Sequence, residues 1–202
     1  MKTLLRLLII LLDLGQGFLI FSRKKNIVTF FGGARFSKDH QYSIVAKETA
    51  VTLAKYGFGV MTGGGGGVMI SANQGAFEAN GRSYACTVKL PYETEKNPYI
   101  HKQVKFHHLF TRKMMMMRFA KAYLIFPGGF GTLDELFEIL TYLQVTPNTK
   151  RPVILVGKSY WEPMYTWMEN TLMKEGAITQ KDLDLIYRCD SPEEILRILA
   201  IV

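Results

Sequence analysis

Three kinds of residue in this chain have the types and spacing for chemistry: Arg112 and Lys113 in LFTRKMMMMR, Glu135 in PGGFGTLDE, and glycines gathered in separate clusters. The clusters are FGGAR at 31–35, TGGGGGVM at 62–69 and PGGFGT at 127–132. Glycine tolerates left-handed backbone and lets a ligand approach main-chain N–H groups, and a helix starting there adds unpaired donors and partial positive charge. A phosphate is the natural guest. A guanidinium, an ammonium and a carboxylate around such loops suit a phosphorylated sugar on which positive charge develops. Taken singly, each feature has a plainer account. One glycine loop can be a tight strand-to-helix turn, and a glutamate in the first turn favours any helix N-terminus. Three such loops on one edge make that account less attractive.

A frame must bring these residues to one edge. From Asn26 onward, short β-branched or aromatic runs alternate with longer helical stretches, the pattern of parallel strands joined by helices. NIVTFF, FGVMTG, SYACTVKL, VKFHHLF, AYLIF, PVILVG and LIYRC read as strands. Helices are expected to start near Asp39, Gly67, Thr111, Thr132, Trp161 and Ser191, the last with a capping box formed by Ser191 and Glu194. No linker or repeat divides residues 26–202, which read as one domain. In such sheets ligands collect at the carboxyl ends of the strands, where all three glycine loops fall.

The usual nucleotide fingerprints fail. Gly64-x-Gly66 and Gly129-x-Gly131 lack the third glycine of a dinucleotide fold, those positions holding Met69 and Asp134. The GKS at 157–159 has Pro152 where a P-loop needs its first glycine, so it reads as the turn after a strand. A nucleoside monophosphate or similar phosphate ester fits better than NAD or a triphosphate.

Composition narrows the rest. The 202 residues carry a formal charge of +8, but no block of five or six like charges and no basic and aromatic interleaving, so small anions are favoured over nucleic acid. Cys86 and Cys189 form no C-x-x-C, and the four histidines lack metal-site spacing; no metal and no cofactor is expected, and a reducing cytoplasm is the simplest setting. Residues 1–25 form an apolar N-terminal helix expected to pack on the domain or on a partner subunit. Its apolar run is interrupted by Asp13, Gly15 and Gln16 before the roughly 20 residues a spanning helix requires, so membrane association is the lesser reading.

The paired motifs resemble those of the Lonely Guy family of phosphoribohydrolases, whose members have often carried the label "lysine decarboxylase". Pro127, Gly128, Gly129, Gly131, Thr132 and Glu135 match its P-G-G-x-G-T-x-x-E, and Arg112, Lys113 and Met116 match its R-K-x-x-M helix. TGGGGGVMISANQGA is similar to its TGGGPGIMEAANRGA, and FGGAR to its F-G-S-A-R. The resemblance covers almost all of the chain after Asn26. It implies a Rossmann-like, doubly wound, three-layer α/β/α domain that hydrolyses the N-glycosidic bond of a nucleoside 5′-monophosphate, AMP or a cytokinin riboside monophosphate, and works as a homodimer. By position, Arg112 and Glu135 become the catalytic pair. Gly129, Phe130, Gly131 and Thr132 become the phosphate cradle, Gly128, Gly64 and Gly65 join the substrate-binding residues, and Lys113, Thr141 and Glu93 contact the nucleotide. Two departures stand out: Ile70 replaces a glutamate beside the second glycine loop, and Lys121 replaces an aspartate. Relatives with similar loops carry the molybdenum cofactor without cleaving it, which is the alternative reading. The old decarboxylase label would need pyridoxal phosphate on a lysine, and no lysine is marked out for it. Met114–Met117 occupy one helical turn and cannot all enter a single core, so part of that run is expected at a dimer contact near the site.

Overall fold

Each short apolar run forms a strand whose neighbouring side chains serve opposite layers. In the computed structural model, which describes residues 2–88, 97–146 and 151–201, Ile27 and Phe31 of β1 (Ile27–Phe31) face one hydrophobic core, while Val28 and Phe30 face the other. The remaining strands are β2 (Gly59–Thr62), β3 (Arg82–Val88), β4 (Lys102–Phe106), β5 (Ala120–Ile125), β6 (Val153–Val156) and β7 (Ile186–Cys189). They make one sheet in the order β4-β3-β2-β1-β5-β6-β7 with every neighbouring pair parallel. Such a sheet needs cover on both faces.

One face is covered by α1 (Lys2–Phe21), α4 (Leu109–Arg118), α5 (Phe130–Val145) and α6 (Lys158–Trp167), through side chains such as Phe21, Met115, Leu136, Ile139 and Trp161. The other is covered by α2 (Gln41–Lys55), α3 (Val68–Glu78) and α8 (Pro192–Ile201), through Ala46, Leu53, Ala72, Ala76 and Ile195. A short α7 (Gln180–Leu183) completes the set. This is the three-layer, doubly wound α/β/α arrangement expected from the sequence.

The chain winds outward in two directions from the centre, β1 to β4 one way and β5 to β7 the other. The reversal falls between β1 and β5, whose carboxyl ends are tied where the Phe126 N–H donates to the Phe31 carbonyl at 2.8 Å. A crevice at such a switch point is where open parallel sheets bind ligands.

Several local expectations change. β4 ends at Phe106, and His107–Phe110 turn into α4 instead of extending the strand. α6 begins at Lys158, three residues early, and runs past Pro163 into a π-helical turn over Met168–Met173. Only half of the box at the start of α8 forms: the Glu194 N–H donates to Ser191 Oγ, whereas the Glu194 carboxylate accepts from the Asp190 N–H. α1 is unbroken through Asp13, Gly15 and Gln16, and the segment Thr3–Phe21 is long and apolar enough to cross a membrane by length and composition. Of the methionine run, Met115, Met116 and Met117 all enter the core and Met114 alone is part-exposed, because α4 is wedged between α1 and the sheet.

Candidate active site

The three glycine loops meet at the switch point, and Gly33 joins them. Its N–H donates to the Pro127 carbonyl at 2.9 Å, and its carbonyl accepts from the Val68 N–H at 3.1 Å. Contact this close leaves no room for side chains. A Cβ at Gly67, whose φ is +58°, would fall 2.1 Å from the Gly33 carbonyl oxygen, and one at Gly128 would fall 2.2 Å from Thr132 Oγ1. Gly129 and Gly131 are different, since a Cβ at either meets nothing within 4 Å. Gly129 opens α5, and no side chain among the described residues caps it, so the first N–H groups of that helix lack a side-chain acceptor there. Phe130 is 92% exposed beside them, and the Tyr160 hydroxyl braces the turn by donating to the Gly128 carbonyl at 2.7 Å.

Above this turn α4 and α5 bring the two charged residues together. Arg112 Nη2 donates to Glu135 Oε1 at 2.9 Å, with both side chains largely enclosed. The same guanidinium lies against the second loop, Nη1 being 3.3 Å from where a Cβ on Gly63 would sit. Arg112 Nε is buried and donates to nothing among the described residues. A permanently charged fork lying against the second glycine loop and paired with a carboxylate is suited to an anion.

Glu135 pays for its position: burial pushes its carboxyl up to about 7, and neighbouring Asp134 and Glu138 push the same way, while Arg112 and Lys113 oppose them. A carboxyl near neutrality beside a fixed cation is a group able to change protonation during a reaction.

Lys113 stands one step outward. Its ammonium bridges Asp134 at 2.9 Å and Glu138 at 2.6 Å, linking α4 to α5. Burial pulls its pKa down, but the two carboxylates outweigh that and hold it above the ordinary lysine value. Thr141 is not brought to the pair; its hydroxyl donates to the Phe137 carbonyl at 2.8 Å on an exposed face of α5. Gly64, in left-handed backbone at φ +81°, donates its N–H to Thr62 Oγ1, and Gly65 is buried in the same loop. Glu93 lies outside the described residues. No acid occupies the first turn of α3, so nothing there stands in for the glutamate replaced by Ile70.

One positioning residue escaped the sequence reading. Asp13, wholly enclosed on α1, accepts from the His107 N–H at 2.9 Å, the His108 N–H at 3.3 Å and the Thr111 hydroxyl at 2.9 Å, and lies 2.8 Å from His107 Nδ1. It therefore caps α4, which has no side-chain cap of its own, and fixes the helix that carries Arg112. Burial pushes its carboxyl up, but these hydrogen bonds outweigh it and hold it below the ordinary 3.8. A lone acid in a leucine-rich run was the available signal.

The model of a family described as possible lysine decarboxylase matches residues 69–199. The chain is 26% identical over 178 residues to the cytokinin riboside 5'-monophosphate phosphoribohydrolase LOG of Oryza sativa subsp. japonica, covering 87% of this chain and 72% of that one. It is 26% identical over 180 residues to the enzyme of the same name, LOG1, of Arabidopsis thaliana, covering 88% and 84%. Among solved structures it resembles the molybdenum cofactor binding protein of Rippkaea orientalis, with a TM-score of 0.65, 19% identity and coverage of 88% and 97%. The molybdenum cofactor carrier protein of Chlamydomonas reinhardtii gives 0.64, 19%, 89% and 100%. At such identity these two establish the fold alone.

Proposed function

This chain belongs to the possible lysine decarboxylase family, here called Lonely Guy, and from that premise we propose that it hydrolyses the N-glycosidic bond of a nucleoside 5′-monophosphate. Water adds across the bond: its oxygen goes to C1′ to give ribose 5-phosphate, and a proton goes to the departing base. AMP and N6-substituted relatives are the substrates proposed.

The observation that carries this reading is the Arg112–Glu135 pair standing over the uncapped start of α5. The amides at 129–131 hold the 5′-phosphate, and the Arg112 guanidinium serves phosphate or ribose. Glu135, as carboxylate, stabilises the oxocarbenium-like charge that develops at C1′ as the base leaves. A carrier needs no carboxylate over the phosphate, which disfavours the cofactor-carrying alternative. The family's descriptive label fares no better. Lys113, beside the site, is tied by two carboxylates and held protonated, so it does not suit the Schiff base that pyridoxal phosphate requires. The proposal sets the enzyme in the cytoplasm as a homodimer whose second copy covers the apolar rim at Phe110, Met114, Phe130 and Phe137, all part or fully exposed.

The test is chromatography of purified protein with a panel of nucleoside monophosphates. Free base is expected from at least one of them and not with Glu135→Ala. Binding of a phosphorylated ligand with no base released from any would transfer the assignment to a carrier.

A further inference from the structure

α1 wears its polarity reversed. At 100° per residue, Leu4, Leu5, Leu7, Leu8, Leu11, Leu12, Gly15, Phe18 and Leu19 fall on one arc of about 160°, and all are exposed, Leu12 at 69% and Leu19 at 83%. No charged side chain interrupts that arc. The polar residues Asp13 and Gln16 point the other way, Gln16 donating to the Lys105 carbonyl at 2.6 Å. A helix of a soluble domain normally shows its apolar stripe to the core and its polar face to water.

What lies beside the arc is cationic. Arg23, Lys24 and Lys25 follow α1 directly and are exposed. Where α1 passes the amino ends of β3 and β4, Leu19 and Ile20 share a cleft of about 590 Å³ with Lys24, Arg82, His101 and Lys102. Hydrocarbon contact and cationic groups meeting on one surface match the two layers of an anionic bilayer, acyl chains inside and phosphate outside.

We infer that α1 docks this protein on the surface of an anionic lipid bilayer, its leucine arc among the acyl chains and the Lys24–Arg82–Lys102 cleft on a headgroup phosphate. The helix lies along the surface. Spanning would tear Asp13 from its donors His107 and Thr111 at the start of α4 and carry its carboxylate into hydrocarbon. The inference does not depend on the reaction assigned above.

The test is flotation of the full-length protein with vesicles of phosphatidylcholine alone or mixed with phosphatidylglycerol. Partition onto the mixed vesicles is expected to be about a hundredfold stronger, roughly fivefold for each of three cations, and to weaken with added salt. Leu8→Glu with Leu11→Glu, both exposed and remote from Arg112 and Glu135, is expected to abolish flotation while thermal stability is unchanged. Three outcomes overturn the inference: no flotation with either vesicle; resistance of the bound protein to alkaline extraction, which marks a spanning helix; or an oligomer in sedimentation that the double glutamate variant dissociates, which marks a second copy on the arc.

Discussion

At Glu135 one carboxyl is subject to two opposed influences, a dry site that favours its neutral form and a guanidinium that favours its charge. With the folded-state value raised to about 7 from an ordinary 4.5, the native protein binds the proton more tightly than the unfolded chain. The group therefore lowers stability as pH rises from about 4.5 to 7, by at most about 3 kcal/mol. Glu135→Gln is expected to be the more stable protein above pH 7, an advantage that shrinks on acidification towards 4.5 in urea titrations across that range. Its activity should be lower by about 10² to 10³-fold, and wild-type kcat/KM should climb with pH through about 7 as the carboxylate forms. Gly131→Ala separates binding from folding. Open space around it predicts an unchanged or slightly higher melting temperature, while a methyl among the phosphate-holding amides raises KM. Arg112 and Glu135 were legible because R-K and T-x-x-E sit at fixed offsets around a glycine turn. Lys113 and Thr141 were legible as residues but not as partners, since nothing in their local sequence announces the carboxylates or the carbonyl they engage.

The element that decides the geometry is α4. Its first turn is held by a carboxylate from another helix, 94 residues away in sequence from His107. Asp13→Ala would strand the His107 and His108 N–H groups, while the Thr111 hydroxyl keeps the His108 carbonyl as acceptor, at a cost of about 2 to 4 kcal/mol, read as a lower urea midpoint. Below the ordinary carboxylate range the wild-type protein should lose the same support, because a depressed folded-state value gives stability that disappears as acid protonates the group. Gly128→Ala is expected to do damage of another kind. Its methyl would press on Thr132 Oγ1 and on the Gly33 main chain, so melting temperature and activity fall together, unlike Gly131→Ala. Strand identities were readable from β-branched runs, and the start of α3 from Gly67, whereas the start of α6 just after Gly157 was not. The turn of His107–Phe110 into α4 was not, because a cap supplied at long range leaves no trace in local propensity.

For the whole molecule, the alternation of apolar runs and helical stretches was enough to name a parallel α/β sheet, but not its strand order, since β1, β2 and β6 are all buried along their length. The position of α1 was the least legible part, since composition gives length and apolarity but not which face looks outward. Hydrogen exchange should display this hierarchy: slowest at β1 and β5, enclosed between both helical layers, and fast over residues 3–12, where α1 has few neighbours. That half of the helix should gain protection on anionic vesicles.

The reach from Asp13 to His107 also sets a timetable. A ribosome adding 5 to 20 residues per second delivers the acid on the order of five to twenty seconds before the histidine that receives it. Throughout that interval the leucine-rich segment exists without α4, the helix it caps. Whatever first meets the nascent chain therefore has an opportunity to bind that segment before α4 is complete.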